Sequence, residues 1–168
     1  LGSINASTND IGTNWLPRGP SANWWSVASS TNGSRLVAAV GGLSGQPGKI
    51  YTSGNTGAIW IARSAPSTNW MSVASSADGT RLVAAAGGLM PGQVYTSTNA
   101  GINWTPTSAP DANWWCVASS ADGTRLVAAA QDGQIYTSTD SGTNWTARES
   151  ARSWTSVASS ADGTRLVA

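Results

Sequence analysis

Trp114-Trp115-Cys116-Val117-Ala118-Ser119-Ser120-Ala121-Asp122-Gly123-Thr124-Arg125-Leu126-Val127-Ala128 joins two short apolar runs through an Asp-Gly pair. Such a pair between apolar runs is the strongest local signal for a β-hairpin. The same hairpin starts again at Trp24, Trp70 and Trp154, so that the four copies are offset by 46, 44 and 40 residues. Their turns read Asn32-Gly33, Asp78-Gly79, Asp122-Gly123 and Asp162-Gly163.

Two further blocks follow each hairpin. The third strand is Lys49-Ile50-Tyr51-Thr52-Ser53, Gln93-Val94-Tyr95-Thr96-Ser97 and Gln134-Ile135-Tyr136-Thr137-Ser138, with Ser3-Ile4-Asn5-Ala6-Ser7 as a degenerate copy. The fourth is built on a second Trp, namely Trp15, Trp60, Trp104 and Trp145. No segment has a 3.6-residue period, so helices are not expected. Four short strands recurring every 40–46 residues are a β-propeller blade. The chain therefore reads as one all-β domain, residues 1–168, of four-stranded antiparallel blades. Their spans are about 23–66, 67–108 and 109–151, with a fourth made from 1–22 and 152–168.

That fourth blade is split because the chain starts on a third strand and stops on a second. Joining the ends in one blade would remove the last open sheet edge, which otherwise invites association. The phase allows a four-bladed ring in one chain, an eight-bladed ring from a homodimer, or an excerpt of a longer propeller.

Composition narrows the partners. Only 10% of the residues are charged, the net charge is +1, and the eight Arg are dispersed. Nucleic acid requires a basic stripe to neutralise phosphates, so it is not an expected partner. No apolar run reaches the roughly 18–20 residues of a membrane span. With no His and one Cys, neither a metal site nor a cofactor is expected, and no internal disulfide can form.

Between the third and fourth strands lies Ser138-Thr139-Asp140-Ser141-Gly142-Thr143-Asn144-Trp145. It resembles the Asp-box, or BNR repeat, of sialidase-like propellers, a repeat also found in photosystem II stability factor-like propellers. The matching residues in the four copies are Asp10, Gly12 and Trp15; Asn55, Gly57 and Trp60; Asn99, Gly101 and Trp104; and Asp140, Gly142 and Trp145. The resemblance implies a structural role for these boxes, remote from any catalytic face. The carboxylate or amide oxygen should accept an N–H two residues on, the Gly should take positive φ, and the Trp should fold back as a plug.

The resemblance also raises glycoside hydrolysis. A sialidase of this kind needs three Arg, a Tyr nucleophile with a Glu partner, and an Asp acid/base. Here Arg35, Arg81, Arg125 and Arg165 share one register, and Tyr51, Tyr95 and Tyr136 another. Residues copied into every blade read as blade chemistry: Arg bridging neighbours and Tyr filling gaps. Only Asp111, Asp132 and Glu149 fall outside a repeated carboxylate register. Cys116 stands where other copies have Ser26, Ser72 and Ser156, a small substitution rather than a nucleophile. No catalytic residue, and no enzyme activity, is expected.

Binding should instead use positions where the blades differ. After the first-strand Trp these are Trp25, Met71, Trp115 and Thr155. Successive strand residues face opposite ways, which frees the variable neighbour for a ligand. Exposed Trp stacks on sugar rings, so Trp25, Met71 and Trp115 are the candidate ligand residues of a lectin-like carbohydrate-binding propeller, secreted or at the cell surface. A protein partner or a structural scaffold is the rival reading, carried by the apolar loop residues Leu43, Leu89 and Met90.

Overall fold

The computed structural model describes residues 1–7, 14–42 and 46–168. The strands are β1 (Gly2–Ser7), β2 (Trp15–Ala22), β3 (Trp24–Ser29), β4 (Leu36–Val40), β5 (Ile50–Ser53), β6 (Ile61–Ala62), β7 (Trp70–Ser75), β8 (Leu82–Ala86), β9 (Val94–Ser97), β10 (Thr105–Pro106), β11 (Trp114–Ser119), β12 (Leu126–Ala130), β13 (Gly133–Ser138), β14 (Thr146–Arg152), β15 (Ala158–Ser159) and β16 (Leu166–Val167). They form three four-stranded antiparallel sheets, β3-β4-β5-β6, β7-β8-β9-β10 and β11-β12-β13-β14, each a meander in chain order. The protein is an all-β propeller. None of the described segments is a helix long and apolar enough to cross a membrane.

The second strand of each blade shows why the sequence adopts this layering. Leu82-Val83-Ala84-Ala85-Ala86 is buried along its whole length, as is Leu126-Val127-Ala128-Ala129-Ala130. A continuous apolar run without alternation suits a strand covered on both faces, and the Ala methyls let neighbouring sheets approach closely. The core is correspondingly divided into slabs between blades. One slab joins Val37, Ala39 and Ile50 to Trp70, Val73 and Leu82 of the next blade. The next joins Val83, Ala85 and Val94 to Trp114, Val117 and Leu126.

Within each blade the first-strand Trp stands edge-on to the third-strand Tyr, with ring centroids 5.1, 5.3 and 5.3 Å apart for Trp24–Tyr51, Trp70–Tyr95 and Trp114–Tyr136. Edge-to-face pairs at this spacing add about 0.5–1.5 kcal/mol beyond area burial. The repeated Tyr thus fill the slabs between blades, Tyr95 against the first and Tyr136 against the second.

The hairpin turns are tied by their acceptor side chains. Ser76 Oγ donates to Asp78 at 2.6 Å, the Thr80 amide donates to the same carboxylate at 2.9 Å, and Thr80 Oγ1 at 2.7 Å. Led by the Ser hydroxyl, these bonds hold Asp78 at a pKa of about 2, against an ordinary 3.8, and do the same for Asp122 and Asp162. A carboxylate depressed on folding stabilises the protein above its unfolded pKa, and that stability is lost as pH falls through the folded value. Stability should therefore be flat above about pH 4 and decline toward about pH 2. The first hairpin makes the same bonds with the neutral Asn32. Acid titrations of the urea midpoint should accordingly show a shallower decline in Asp78→Asn/Asp122→Asn/Asp162→Asn, and an unchanged slope would refute the assignment.

The ends depart from the sequence reading. β1-β2 and β15-β16 are separate two-stranded sheets rather than one shared blade. Each half is held by the blade beside it, β1 against β3 and β15 against β11. Within one chain, the blade assigned to residues 1–22 and 152–168 exists as two halves.

Candidate binding site

The turns between third and fourth strands are built alike in all three complete blades. Ser53 Oγ donates to Asn55 Oδ1 at 2.9 Å and accepts the Gly57 amide at 3.0 Å, while Asn55 Oδ1 also accepts the Ile59 amide at 2.9 Å. Ser97, Asn99, Gly101 and Asn103 repeat this, as do Ser138, Asp140, Gly142 and Asn144. The expected bond two residues on is replaced by one four residues on, because the chain makes two successive left-handed steps. Thr56 and Gly57 have φ of 58° and 83°, Ala100 and Gly101 55° and 79°, Ser141 and Gly142 61° and 89°. Asp140, the one charged member among them, is held below the ordinary carboxylate range, first by the Asn144 amide and then by the Asn144 and Ser138 side chains. Asp10 and Gly12 lie outside the described residues. Trp60, Trp104 and Trp145 are half-buried plugs, whereas Trp15 is exposed because its sheet has only two strands.

The repeated Arg behave as blade connectors. Arg81 Nη1 donates to Ser141 Oγ of the next blade at 2.9 Å. Innermost strands are joined by hydroxyls: Ser26 Oγ accepts the Val73 amide at 3.0 Å and Ser72 Oγ the Val117 amide at 3.1 Å. Cys116 occupies this place in the third blade, half-buried, with its sulfur 3.9 Å from Val157 O. Cys116→Ser should restore the hydroxyl–amide bond toward Val157 and stabilise the fold by about 1 kcal/mol. A thermal shift of zero or a destabilisation would show that the joint does not need that bond.

Trp25, Met71 and Trp115 share a feature that strand alternation alone does not give. In each first strand the pairing skips a residue, from Trp24↔Val40 to Ser26↔Ala39, Trp70↔Ala86 to Ser72↔Ala85, and Trp114↔Ala130 to Cys116↔Ala129. The skipped residues are Trp25, Met71 and Trp115, so each is the extra residue of a β-bulge. Bulges re-aim a side chain without disturbing the ladder on either side. Their surroundings then separate the three. Met71 is buried, its sulfur resting where a Cβ on Gly88 would sit 2.8 Å away. It is withdrawn as a ligand residue: the flexible thioether folds down onto the glycine and fills space. Trp115 is half-buried.

Trp25 is 47% exposed. One ring face lies on Gly42, where a Cβ would fall 2.2 Å from the indole, and Gly42 has a φ of 86°. Only glycine offers both the backbone angle and the bare surface. Trp25 borders an open depression of about 440 Å³, rimmed by Ser3, Ala22, Asn23 and Gly41. The rim carries hydroxyl, amide and backbone polar groups and no charge. Ser3 and Asn23 are not legible from sequence as neighbours because Ser3 lies in β1 and Asn23 in the one-residue link between β2 and β3, and the two meet only through the β1-β2 pairing. The Gly41-Gly42 pair was the available signal.

The non-repeated carboxylates are dispersed. Asp111 accepts from Gln93 Nε2 and Asp132 from Ser153 Oγ. Glu149 lies on the exposed β14 with φ 56°. Leu89 and Met90, which could have folded over the blade edge, are instead 65% and 73% exposed. Leu43 lies outside the described residues.

No protein-family model matches the chain, and no curated protein matches it. Solved structures do. The GH74 enzyme of Niastella koreensis is 22% identical over 91% of this chain and 23% of its own, with a TM-score of 0.63. The GH74 xyloglucanase of Xanthomonas campestris is 22% identical over 77% of this chain and 19% of its own, at 0.58. YCF48 bound to a D1 peptide is 16% identical over 79% of this chain and 42% of its own, at 0.61. The chain thus spans about a quarter of the GH74 enzymes and under half of YCF48. At these identities the likeness establishes the propeller fold.

It also corrects one expectation. Arg and Tyr repeating in register lead to the expectation of no enzyme activity, yet two of these three structures are GH74 glycoside hydrolases. Register counts only what every blade shares, and it says nothing of residues that one blade carries alone. The expectation that the chain is no enzyme is therefore dropped.

Proposed function

We propose that this chain is a carbohydrate-binding propeller, secreted or displayed at a cell surface, whose ligand stacks on Trp25. One observation carries the reading: a half-exposed indole held flat on Gly42, at the edge of an uncharged depression with Ser3 and Asn23 on its rim. A sugar ring presents an apolar C–H face and a fringe of hydroxyls. An indole face beside hydroxyl and amide groups complements both. The xyloglucan-degrading neighbour supports a polysaccharide as the ligand class. The Ser–x–Asx–x–Gly turns are, in the same reading, Asp-box turns, supported by their position between third and fourth strands and by their common bonding.

A second reading, a protein-binding propeller, is favoured by the exposed Leu89 and Met90 and by the peptide-bound neighbour. Parallel glycan and peptide arrays separate the two. Trp25→Ala should lower glycan signal at least tenfold with an unchanged melting temperature, and Trp115→Ala should do so by less. Glycan signal at background, with peptide signal lost in Leu89→Ser/Met90→Ser, would replace the first reading by the second. Reducing ends released from a bound polysaccharide in the same samples would add hydrolysis to binding.

A further inference from the structure

The two joints between complete blades are built from the same positions, yet one is closed and the other open. In the joint between the second and third complete blades, Arg81, Leu82, Thr96, Thr98 and Ser141 surround a space of only about 10 Å³. In the joint between the first and second, the matching residues are Arg35, Leu36, Thr52, Gly54 and Ala100, and the cavity is about 240 Å³. Three substitutions make the difference. Gly54 stands where the next joint has Thr98, and a Cβ on Gly54 would meet nothing within 4 Å. Ala100 stands where Ser141 accepts from Arg81 Nη1 at 2.9 Å, so Arg35 has no hydroxyl to reach. Arg63 stands where the next joint has Thr107, their amides donating alike to Ile50 O and Val94 O at 2.9 Å.

The exchange removes two side chains and adds a cation. Arg35 and Arg63 both line the cleft, and among the described residues that line it none carries a carboxylate. The carboxylate that feels Arg35, Asp78, is engaged by Ser76 and Thr80, and Arg35 is the weakest of the influences on it. Among the described residues the Arg35 guanidinium has no hydrogen-bond acceptor. Half-buried Arg63 donates through Nε to Thr52 Oγ1 at 2.5 Å, which orients its plane and leaves its two Nη groups for another acceptor. Thr52 is 3% exposed, and a hydroxyl that has accepted one bond keeps its own proton to donate.

We propose that this cleft binds a small oxyanion, a carboxylate or sulfate group held between Arg35 and Arg63 with the Thr52 hydroxyl as a further donor. Guanidinium forks match the geometry of such anions, and the charge-assisted bonds they make are the strong ones. Two cations facing one cleft repel each other, and an anion between them turns that repulsion into attraction. The volume lies below the roughly 300–1,000 Å³ of a drug-sized ligand pocket, so it suits a group of a few atoms. The cleft sits at the turn end of the strands, where Leu36 pairs with Ser53. Trp25 adjoins the other end, where Trp24 pairs with Val40, and the inference is independent of what binds there.

The test follows the arginine Nε–H signals of the chain during titration with sodium acetate, with sodium sulfate and, at matched ionic strength, with sodium chloride. At least one oxyanion should give saturable shifts of two of the eight Arg signals, assigned to Arg35 and Arg63 by their loss in Arg35→Gln and Arg63→Thr. The salt that saturates at the lower concentration identifies the preferred group. Gly54→Thr/Ala100→Ser copies side chains that the neighbouring joint already holds, so it should keep the melting temperature of the unaltered chain. Filling the cleft in this way, or removing one cation in Arg63→Thr, should weaken binding by about tenfold or more. Shifts that track ionic strength alike in all three salts would overturn the proposal, as would a saturable shift that both the filled and the Arg63→Thr chains retain in full.

Discussion

Trp114→Ala should lower folding stability by about 3–5 kcal/mol. Trp114 is fully buried between two blades, packed among Val83, Ala85, Val94, Ala109 and Leu126, with Tyr136 edge-on at 5.3 Å. Its indole N–H has no hydrogen-bond partner among the described residues, so the loss is one of packing and apolar burial. Trp114→Phe should therefore recover much of the stability, which a lost hydrogen bond would not allow. A typical domain has about 5–15 kcal/mol in all, and the alanine variant should show a large drop in urea midpoint. A drop below 1 kcal/mol would mean that the slabs between blades do not carry the fold.

Gly87→Ala is the second large effect, and it acts on the spacing of blades. A Cβ at Gly87 would lie 2.5 Å from Trp114 N and 2.7 Å from Trp114 O, with Trp114 Cα at 3.1 Å. The obstacle is backbone of the next blade, bridged to Gly87 in parallel, and it cannot rotate away. Overpacking costs typically about 1–3 kcal/mol and sometimes more, so the variant should lose at least 2 kcal/mol on that scale. Gly54→Ala is the control, because a Cβ there meets nothing within 4 Å. Equal effects at the two positions would refute a specific close approach at Gly87.

These two residues also show how far the sequence could be read. Trp114 was legible as structural because it recurs at Trp24, Trp70 and Trp154, and burial follows the recurrence for Trp70 and Trp114. The strand order within each blade was legible for the same reason. Gly87 was not, since its constraint comes from a backbone 27 residues further on that only the assembled blades bring near. The bulges at Trp25, Met71 and Trp115 were hidden too. Alternation gives the correct variable positions but places all three alike, whereas Gly88 lets Met71 sink and the depression beside Gly41 leaves Trp25 out. The split of the terminal blade was visible as a phase. Its outcome depended on which neighbour holds each half, a long-range fact that no local pattern encodes.

Binding at Trp25, in a register where the blades differ, is tested most directly by the indole N–H signals of the ten Trp in a two-dimensional nitrogen–proton spectrum. The glycan with the strongest array signal would be titrated into the chain. The predicted result is a saturable shift of the Trp25 signal, assigned by its disappearance in Trp25→Ala, with Trp70 and Trp114 unmoved in their slabs. A saturable shift confined to other Trp signals, or an unmoved Trp25 signal at saturating glycan, would contradict it.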